Sequence, residues 1–428
     1  MQQYLNNRIR KAVRVAIALL LAALFLTGCA APSAREDVFI DGDDSFEPAL
    51  PTDDSADAAT ISKLLPGRLD SILTDDGSFA VLFVNVGKAD ACILRLGGSA
   101  VLIDTGSAQS VPQLFAALNA LKIESIDAVF ITHSHSDHLG GLDALVNNYS
   151  VGTVYSPYFS ETGKDGVGKI VQRVKKLGLS HTELKAGDVV PLPDGASFTV
   201  LGPLALNEEN DNDNSLVLRF DYAGQTILFA GDMQFAEEQS LLDAGAPLGS
   251  VILKVGNHGN PDATSDAFAA QVAPGIAIIS TDTTVDANSA NPRVLAALPN
   301  ANVFVTENFP IGVLVTIDGA SRMICFNPAK EKVSLHASLS VDAKHQTVTL
   351  TNDTALGADL SGCVLFSAET GAALRFPAGT RLSAGGSLTI GKGNELSFPN
   401  DDSPLRKKKG NTVFLYDSFG NLASKGLD

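Results

Sequence analysis

The chain has 428 residues, 45% of them hydrophobic and 18% charged, which is typical of a globular protein and long enough for two or three domains. Its formal net charge of −17 argues against a general nucleic-acid-binding surface, because such surfaces carry an excess of lysine and arginine. A local basic patch is compatible with this charge.

The first 29 residues have the pattern of a bacterial lipoprotein signal peptide. Basic residues precede the apolar run 15–26, which is too short to span a bilayer comfortably, and the run ends in a lipobox-like Leu26-Thr-Gly-Cys29. Lipidation of Cys29 would tether the mature protein to the bacterial cell membrane on its extracytoplasmic side. An ordinary signal peptide or membrane anchor is the alternative, and it also places the folded part outside the cytoplasm.

Residues 30–77 are predicted to be an acidic, disordered linker. Most of this stretch is rich in Asp, Pro, Ser and Ala and lacks hydrophobic periodicity, so it has little apolar surface to bury. An acidic calcium-binding loop is the weaker alternative, because the ordered ligand spacing and the closing glutamate are missing.

Residues 78–328 alternate short β-branched runs with amphipathic stretches. The predicted strands are 80–85, 91–96, 100–104, 128–132, 198–201, 216–222, 226–230, 251–255 and 276–280. The predicted helices are 111–121, 142–146, 168–177, 234–243 and 266–272. Strand pairs followed by this alternation predict two mixed sheets flanked by helices. From 331 to 428, short strands broken by turn residues predict a compact all-β domain.

The run after strand 128–132 predicts a metal site. It places His133, His135, Asp137 and His138 in the pattern H-x-H-x-D-H. Imidazole and carboxylate are ligands for zinc and similar divalent ions, and two closely spaced ions need about this many ligands from one loop. Gly140-Gly141 would let the backbone turn sharply beside the ions.

Further ligands are predicted at the ends of other strands. Asp232 follows strand 226–230 and can bridge two cations, and His258 follows strand 251–255. Asp104, at the end of strand 100–104, could accept a hydrogen bond from a metal-bound imidazole. Two divalent ions that share a carboxylate lower the pKa of a bridging water and bind an anionic substrate oxygen, which favours hydrolysis. Asp137, Asp232 or the bridging water itself could carry out the proton transfer that hydrolysis requires.

Residues 78–328 resemble the metallo-β-lactamase superfamily, whose H-x-H-x-D-H signature they match in full. The resemblance implies an αββα sandwich with two divalent ions, Zn²⁺ or Mn²⁺, at one edge of the two sheets. Several stretches look like the soluble C-terminal domain of ComEC-type competence proteins: 83–91, 104–106, 212–218, 231–232 and 253–259. Those proteins internalise DNA, and that domain is thought to act as a nuclease.

Two departures from the family pattern concern the metal ligands. An Asn/Asp-rich loop stands where many members have a further histidine, so the resemblance implies that Asp213, Asn214 or water completes the ion held by His133 and His135. Asn257 stands where the competence branch usually has the first histidine of a His-His pair. If that histidine were the ligand, the second ion would bind weakly.

The tail from about 334 to 427 resembles a lamin-tail domain, an immunoglobulin-like sandwich, which implies a binding or positioning module without chemistry of its own. The sequence therefore predicts a secreted, membrane-tethered, metal-dependent hydrolase. We expect it to be a phosphodiesterase or nuclease whose extracellular substrate is DNA, a wall polymer or a nucleotide. The alternative is a non-catalytic surface binding protein with a structural metal, which binds an unidentified partner through its tail.

Overall fold

A computed structural model of the protein describes residues 62–64, 79–163, 167–317, 323–400, 403–407 and 410–428. The predicted signal peptide with Cys29, and the predicted linker apart from Ser62–Leu64, lie outside this part of the chain. Within the described ranges, no helix has both the length and the apolar character needed to cross a membrane.

Two sheets make up the part of the fold that precedes the tail. Their strands are β1 (Ser62–Leu64), β2 (Phe79–Val84), β3 (Cys92–Leu96), β4 (Ser99–Ile103), β5 (Ser125–Phe130), β6 (Ser150–Pro157), β7 (Ser180–Leu184), β8 (Val189–Pro191), β9 (Ser197–Gly202), β10 (Val217–Tyr222), β11 (Gln225–Phe229), β12 (Ile252–Lys254), β13 (Ile276–Ile279), β14 (Asn302–Val305), β15 (Gly312–Ile317) and β16 (Met323–Pro328). The helices are α1 (Val111–Ala120), α2 (Ser136–Leu139), α3 (Leu142–Asn148), α4 (Lys169–Lys176), α5 (Phe235–Asp243), α6 (Asp266–Val272) and α7 (Pro292–Ala297).

Both sheets are mixed, as the alternation of elements predicts. The first has the strand order β1-β16-β15-β2-β3-β4-β5-β6-β7, and the second has the order β14-β13-β12-β11-β10-β9-β8. Strands β4 to β7 pair in parallel with one another, as do β11 to β14. The pairs β2-β3, β3-β4, β2-β15 and β10-β11 are antiparallel. The carboxyl ends of the parallel strands in each sheet carry the loops with the predicted metal ligands.

The two sheets face each other across an aromatic core. Alternate residues of β2 belong to different buried clusters, because successive side chains of a strand point to opposite faces. Phe83 stacks on Phe229 of the other sheet with ring centroids 5.9 Å apart, and Phe130 lies 4.8 Å from Phe198. Helices α1, α3 and α4 cover the outer face of the first sheet, and α5, α6 and α7 cover that of the second. This architecture is an αββα sandwich, and the predicted fold class is confirmed.

One short segment of the predicted linker belongs to the fold. Ser62–Leu64 pairs in parallel with Phe326–Pro328 at the edge of the first sheet. An edge strand exposes unpaired backbone N–H and C=O groups, which an extended segment of any composition can satisfy. The prediction of a linker over 30–77 is therefore wrong at these three residues.

The tail is all-β, as predicted. Its strands are β17 (Ala337–Asp342), β18 (Thr347–Asn352), β19 (Ala358–Asp359), β20 (Val364–Ser367), β21 (Ala373–Arg375), β22 (Arg381–Leu382), β23 (Ser387–Gly391), β24 (Thr412–Tyr416) and β25 (Leu422–Leu427). They form the sheets β17-β18-β23 and β21-β20-β24-β25 and the pair β19-β22 around one buried core that includes Phe376.

The tail packs against helices α1 and α3 of the sandwich. Arg375 pairs with Glu124 at 2.9 Å, donates to Asn119 Oδ1 over 3.0 Å and lies over the ring of Tyr149. The side chain of Asn148 donates to the carbonyl oxygen of Ala373 and accepts the backbone N–H of Arg375. The tail and the sandwich therefore share a specific, hydrogen-bonded interface.

Candidate metal centre

The first residue of the H-x-H-x-D-H loop region, Thr132, is fixed by Asp104. Thr132 donates its backbone N–H to Asp104 Oδ1 over 2.8 Å and its hydroxyl to Asp104 Oδ2 over 2.7 Å. Asp104 follows β4, next to β5, and its φ of 59° is uncommon for a residue other than glycine. These hydrogen bonds connect the ends of the parallel strands β4 and β5 at the residue that precedes His133.

Gly140 and Gly141 are needed for a different reason than predicted. Their φ values of −65° and −81° are open to any residue, so no sharp turn requires glycine and that prediction is wrong. A Cβ on Gly141 would collide with the carbonyl oxygen of Thr105, and a Cβ on Gly140 would lie 2.7 Å from the backbone nitrogen of Ala108. The two glycines therefore allow a neighbouring loop to approach the metal loop closely.

Three imidazoles direct their Nε2 atoms at one carboxylate oxygen. Asp232 Oδ2 lies 3.2 Å from Nε2 of His138, 3.3 Å from Nε2 of His258 and 3.9 Å from Nε2 of His133. Asp137 Oδ2 lies 3.4 Å from Nε2 of His258. One ligand atom from each of Asp137, His138, Asp232 and His258 lies within 4.8 Å of the others. The loops after β5, β11 and β12 thus bring the side chains together.

The other nitrogen of each imidazole has a fixed partner. The Nδ1 contacts are His138 to Asp104 Oδ2 at 2.7 Å, His258 to the carbonyl oxygen of Ser280 at 2.9 Å, and His133 to the hydroxyl of Thr132 at 3.2 Å. In the neutral imidazoles, a proton on each Nδ1 satisfies these partners and leaves each Nε2 with a lone pair for a metal ion. Hydrogen bonds of this kind orient metal-ligating histidines and fix their tautomer.

Charges in the metal-free cluster are strongly coupled. Burial lowers the pKa of His258, but the Asp232 carboxylate and other nearby acids outweigh it and raise this pKa to about 9. The pKa of His138 is also raised, by the Asp232 charge acting against burial. Burial and the charge on His138 lower the pKa of His133 to about 3. Without metal, protons on His138 and His258 supply the positive charge that balances the carboxylates.

The cluster fits a divalent metal ion. Nε2 of His138, Nε2 of His258 and Oδ1 of Asp232 are buried and have no hydrogen-bond partner. An unsatisfied buried polar atom costs on the order of 1–3 kcal/mol, and a bound cation would offset this cost for all three atoms. Imidazole nitrogen and carboxylate oxygen form a donor set that suits Zn²⁺ and similar ions.

His135 occupies the solvent side of the cluster. It is exposed, and its Nδ1 lies 2.9 Å from Nε2 of His133. His133 Nε2 is therefore close to both His135 Nδ1 and, at 3.9 Å, Asp232 Oδ2.

Asp213 and Asn214, which the resemblance offers as ligands, hold their own loop together. Asp213 Oδ1 accepts the backbone N–H of Gln234 over 2.9 Å, next to the start of α5, and Oδ2 accepts the side chain of Asn207 over 3.0 Å. Asn214 donates to the carbonyl oxygen of Asn207 over 2.9 Å. The structure does not bring these two side chains into the cluster and gives them a role within the loop.

The departure at Asn257 leaves the buried cluster complete. Asn257 donates to Asp262 Oδ1 over 2.9 Å, and both Asn257 and His258 have left-handed backbone conformations, with φ of 44° and 53°. This strained turn presents His258, not Asn257, to Asp232. His258 is the residue of this turn whose ligand atom lies with those of Asp137, His138 and Asp232.

Three charged residues that the sequence analysis did not single out border the cluster. Lys254 Nζ lies 2.7 Å from Asp90 Oδ2, and both side chains are 6% exposed. Asp90 Oδ1 lies 3.6 Å from His258 Nδ1, and Lys88 Nζ lies 3.2 Å from Asp137 Oδ2. The sequence signal that could have revealed these residues was Lys254 within the apolar strand β12, because a buried lysine requires an acidic partner.

An open cavity of about 600 Å³ lies beside the cluster, with His135 in its wall. Four acidic side chains line it together with neutral residues: Glu161, Glu208, Glu209 and Asp211. Glu161 is paired with Lys169. A molecule in this cavity would have direct access to His135, and the acidic lining would disfavour a second negative charge.

Comparisons with known proteins agree with this site. Residues 84–283 match the family described as the metallo-beta-lactamase superfamily. ComE operon protein 3 of Bacillus subtilis (strain 168) is 30% identical over 250 residues, which cover 54% of this chain and 32% of that protein. Competence protein ComA of Neisseria gonorrhoeae is 29% identical over 205 residues, which cover 47% of this chain and 27% of that protein. The chain thus spans about a third of the length of these relatives.

Among solved structures, the metallo-beta-lactamase fold protein YhfI from Bacillus subtilis is 12% identical, with a TM-score of 0.40. The alignment covers 56% of this chain and 98% of that chain. The family match contains the complete H-x-H-x-D-H loop, Asp232 and His258. Residues 84–283 are therefore similar to the metallo-β-lactamase superfamily over a range that contains these predicted ligands.

Proposed function

We propose that the protein is a metal-dependent phosphodiesterase that acts outside the cytoplasm. The convergence of three imidazole Nε2 atoms on Asp232, beside Asp137, carries this proposal. Metal-dependent hydrolysis is the general chemistry of the superfamily, and the similarity to competence proteins supports a phosphodiester substrate, with DNA among the candidates.

Two sets of side chains would hold two divalent ions: Asp137, His138, Asp232 and His258 in one, and His133, His135 and Asp232 in the other. The imidazole-rich donors favour Zn²⁺, with Mn²⁺ as the alternative. When bound, such ions would supply Lewis acidity toward a phosphoryl oxygen and would lower the pKa of a water molecule to near neutrality.

The two carboxylates have different surroundings and hence different proposed roles. Asp232 is 2% exposed and enclosed by imidazoles, so it holds the two donor sets together. The Asp137 side chain is 23% exposed, so it can pass a proton between the site and bulk water. Asp104 holds the imidazole of His138 in one orientation through the 2.7 Å contact.

Metal analysis combined with hydrolysis of bis(p-nitrophenyl) phosphate tests this function. We expect close to two ions per chain and turnover that depends on added Zn²⁺ or Mn²⁺. Asp232→Asn and His135→Ala should lose turnover while remaining folded by circular dichroism. His345→Ala is the matched control, because this exposed histidine bonds Asp342 in the tail, and it should keep both metal and activity. One ion or none, without turnover under either metal, would refute the proposal.

A second assay distinguishes between the candidate substrates. Cleavage of single-stranded DNA by the metal-loaded protein would support a nuclease. Turnover of bis(p-nitrophenyl) phosphate without DNA cleavage would direct attention to a wall polymer or an extracellular nucleotide.

A non-catalytic surface binding protein with one structural metal is the second candidate. Asp213 and Asn214 form hydrogen bonds to Gln234 and Asn207 and are not available as metal ligands. Fewer ligands therefore remain for an ion at His133 and His135, which favours this candidate. In that case the protein should bind at most one ion, and Asp232→Asn should unfold it. The lamin-tail-like domain would then bind the partner.

We also propose that Cys29 is lipidated and tethers the protein to the membrane. The lipobox-like sequence and the acidic stretch that follows it support this localisation. Wild-type protein grown with labelled palmitate should carry label and fractionate with membranes, and Cys29→Ser should lose the label. Equal labelling of both proteins would contradict the proposal.

A further inference from the structure

Lys88 belongs to a loop that is rigidly connected to the metal loop. The loop joins β2 to β3, and its start is fixed by the backbone bond from Asn85 to the carbonyl oxygen of Ile311, 2.8 Å long. Two residues after Lys88, the backbone N–H of Asp90 donates to the carbonyl oxygen of Asp137 over 3.1 Å. These bonds set the position of Lys88 relative to Asp137 without using the lysine side chain.

The ammonium group of Lys88 lies beside Asp137 and is partly exposed to solvent. Its Nζ lies 3.2 Å from Asp137 Oδ2, and both side chains are 23% exposed. The side chain of Lys254, the other lysine beside the cluster, is 6% exposed and is held by Asp90. Of these two lysines, Lys88 is therefore the one that a molecule arriving from solvent can reach.

The ion pair of Lys88 with Asp137 contributes little to folding. Partly exposed ion pairs stabilise proteins weakly, because solvent screens the charges and the side chains lose entropy. An ammonium group also has three donor hydrogens, and Asp137 Oδ2 occupies one direction. Donors thus remain for an anionic partner next to the cluster.

We propose that Lys88 binds the substrate phosphate by donating a hydrogen bond to a non-bridging phosphoryl oxygen. This inference rests on the proposed phosphodiesterase function. The lysine supplies a positive charge on the side of the cluster next to Asp137, whereas the cavity on the His135 side is acidic. The site therefore recognises a single phosphate group and gains nothing from further phosphates on the cavity side.

Binding of inorganic phosphate to the metal-loaded protein tests the role of Lys88 independently of turnover. By isothermal titration calorimetry, Lys88→Gln should weaken phosphate binding about tenfold or more, the size expected for a charge-assisted hydrogen bond. Lys88→Arg should retain most of the affinity. Lys176→Gln is the matched control, because it removes an exposed lysine at the end of α4 that does not line the cavity. Its phosphate affinity should be unchanged.

If the protein hydrolyses bis(p-nitrophenyl) phosphate, Lys88→Gln should also raise KM more than it lowers kcat. Metal content must be the same in Lys88→Gln and in the wild type. A loss of metal in this variant would show that Lys88 acts by positioning Asp137 and would overturn the proposal. Unchanged phosphate affinity, or no measurable phosphate binding by the metal-loaded wild type, would also overturn it. An absence of turnover with a Lys88-dependent phosphate affinity would refute only the proposed function.

Discussion

Replacing Lys254 with methionine should destabilise the protein more than any exposed charge substitution. Lys254 Nζ lies 2.7 Å from Asp90 Oδ2 and 3.0 Å from the carbonyl oxygen of Val255, and both charged side chains are 6% exposed. Methionine fills most of the same volume, so the cavity left behind is small. The main effect is a buried Asp90 carboxylate without its partner.

The size of the effect follows from the burial of the pair. At 2.7 Å and an effective dielectric constant of about 20, the attraction is about 6 kcal/mol. Desolvation of the two ions cancels much of this gain, so the intact pair adds little net stability. Removing one partner leaves the desolvation cost of the other, and we expect a loss of about 3–5 kcal/mol in the free energy of unfolding. That is a large part of the total stability of a typical domain.

Chemical denaturation of the purified protein in the presence of a chelator measures this loss without a contribution from metal binding. The double variant Asp90→Asn with Lys254→Met should lose clearly less unfolding free energy than the two single variants lose in sum, because no charge then remains buried. Lys169→Met removes an exposed ion pair and should change stability by about 1 kcal/mol at most. A loss of less than about 1 kcal/mol for Lys254→Met, or additive losses in the double variant, would refute the reasoning.

Three further predictions concern the cluster and the tail. Asp104→Asn should weaken metal affinity about 10–100-fold in a chelator competition assay, because it disturbs the partner of the His138 ring, and an unchanged affinity would contradict this. Because the folded-state pKa of His258, about 9, exceeds its ordinary value of 6.5, its contribution to the stability of the metal-free protein is fully present below pH 6.5 and is lost as the pH rises through 9. Denaturation curves across this range should show that decline without metal, and a flat profile would contradict it. Arg375→Ala should lower the unfolding free energy by about 1–3 kcal/mol through its contacts with Glu124 and Tyr149, and a thermal melt equal to that of the wild type would exclude this.

Much of the sandwich could be predicted from the sequence, because its central strands are apolar runs with turn residues at both ends. Strands β6 and β7, which were missed, lack this signal, whereas β15, which was also missed, is a buried apolar run that carries it. Residues 180–184 form the polar edge strand β7, most of whose side chains are at least partly exposed. In β6, Gly152 interrupts the apolar pattern, because a Cβ there would collide with the carbonyl oxygen of Asp127. Close backbone approach of this kind is a tertiary property and leaves no local pattern.

The same distinction applies to the candidate site. The ligands in H-x-H-x-D-H are neighbours in the sequence, and Asp232 and His258 each follow an apolar strand, so their chemistry and position could be predicted together. Asp90 and Lys254 are separated by 164 residues and meet only when β2 and β12 are assembled in different sheets. The left-handed backbone at Asp104 and His258 is likewise determined by the packed loops and not by residue type.

The tail has a structural role in the sandwich in addition to any partner that it binds. Val364, Phe366 and Ala373 belong to the same buried cluster as the residues of α1 and the outer face of the first sheet. Gly371 of the tail lies close to Ala108. Ala108 in turn lies close to Gly140, which follows the H-x-H-x-D-H residues 133–138. Removal of the tail would therefore expose apolar surface and release the support behind the metal loop. Loss of activity in a protein without its tail would not show that the tail binds substrate, and point substitutions on the outward face of β18 are the appropriate test of a binding role.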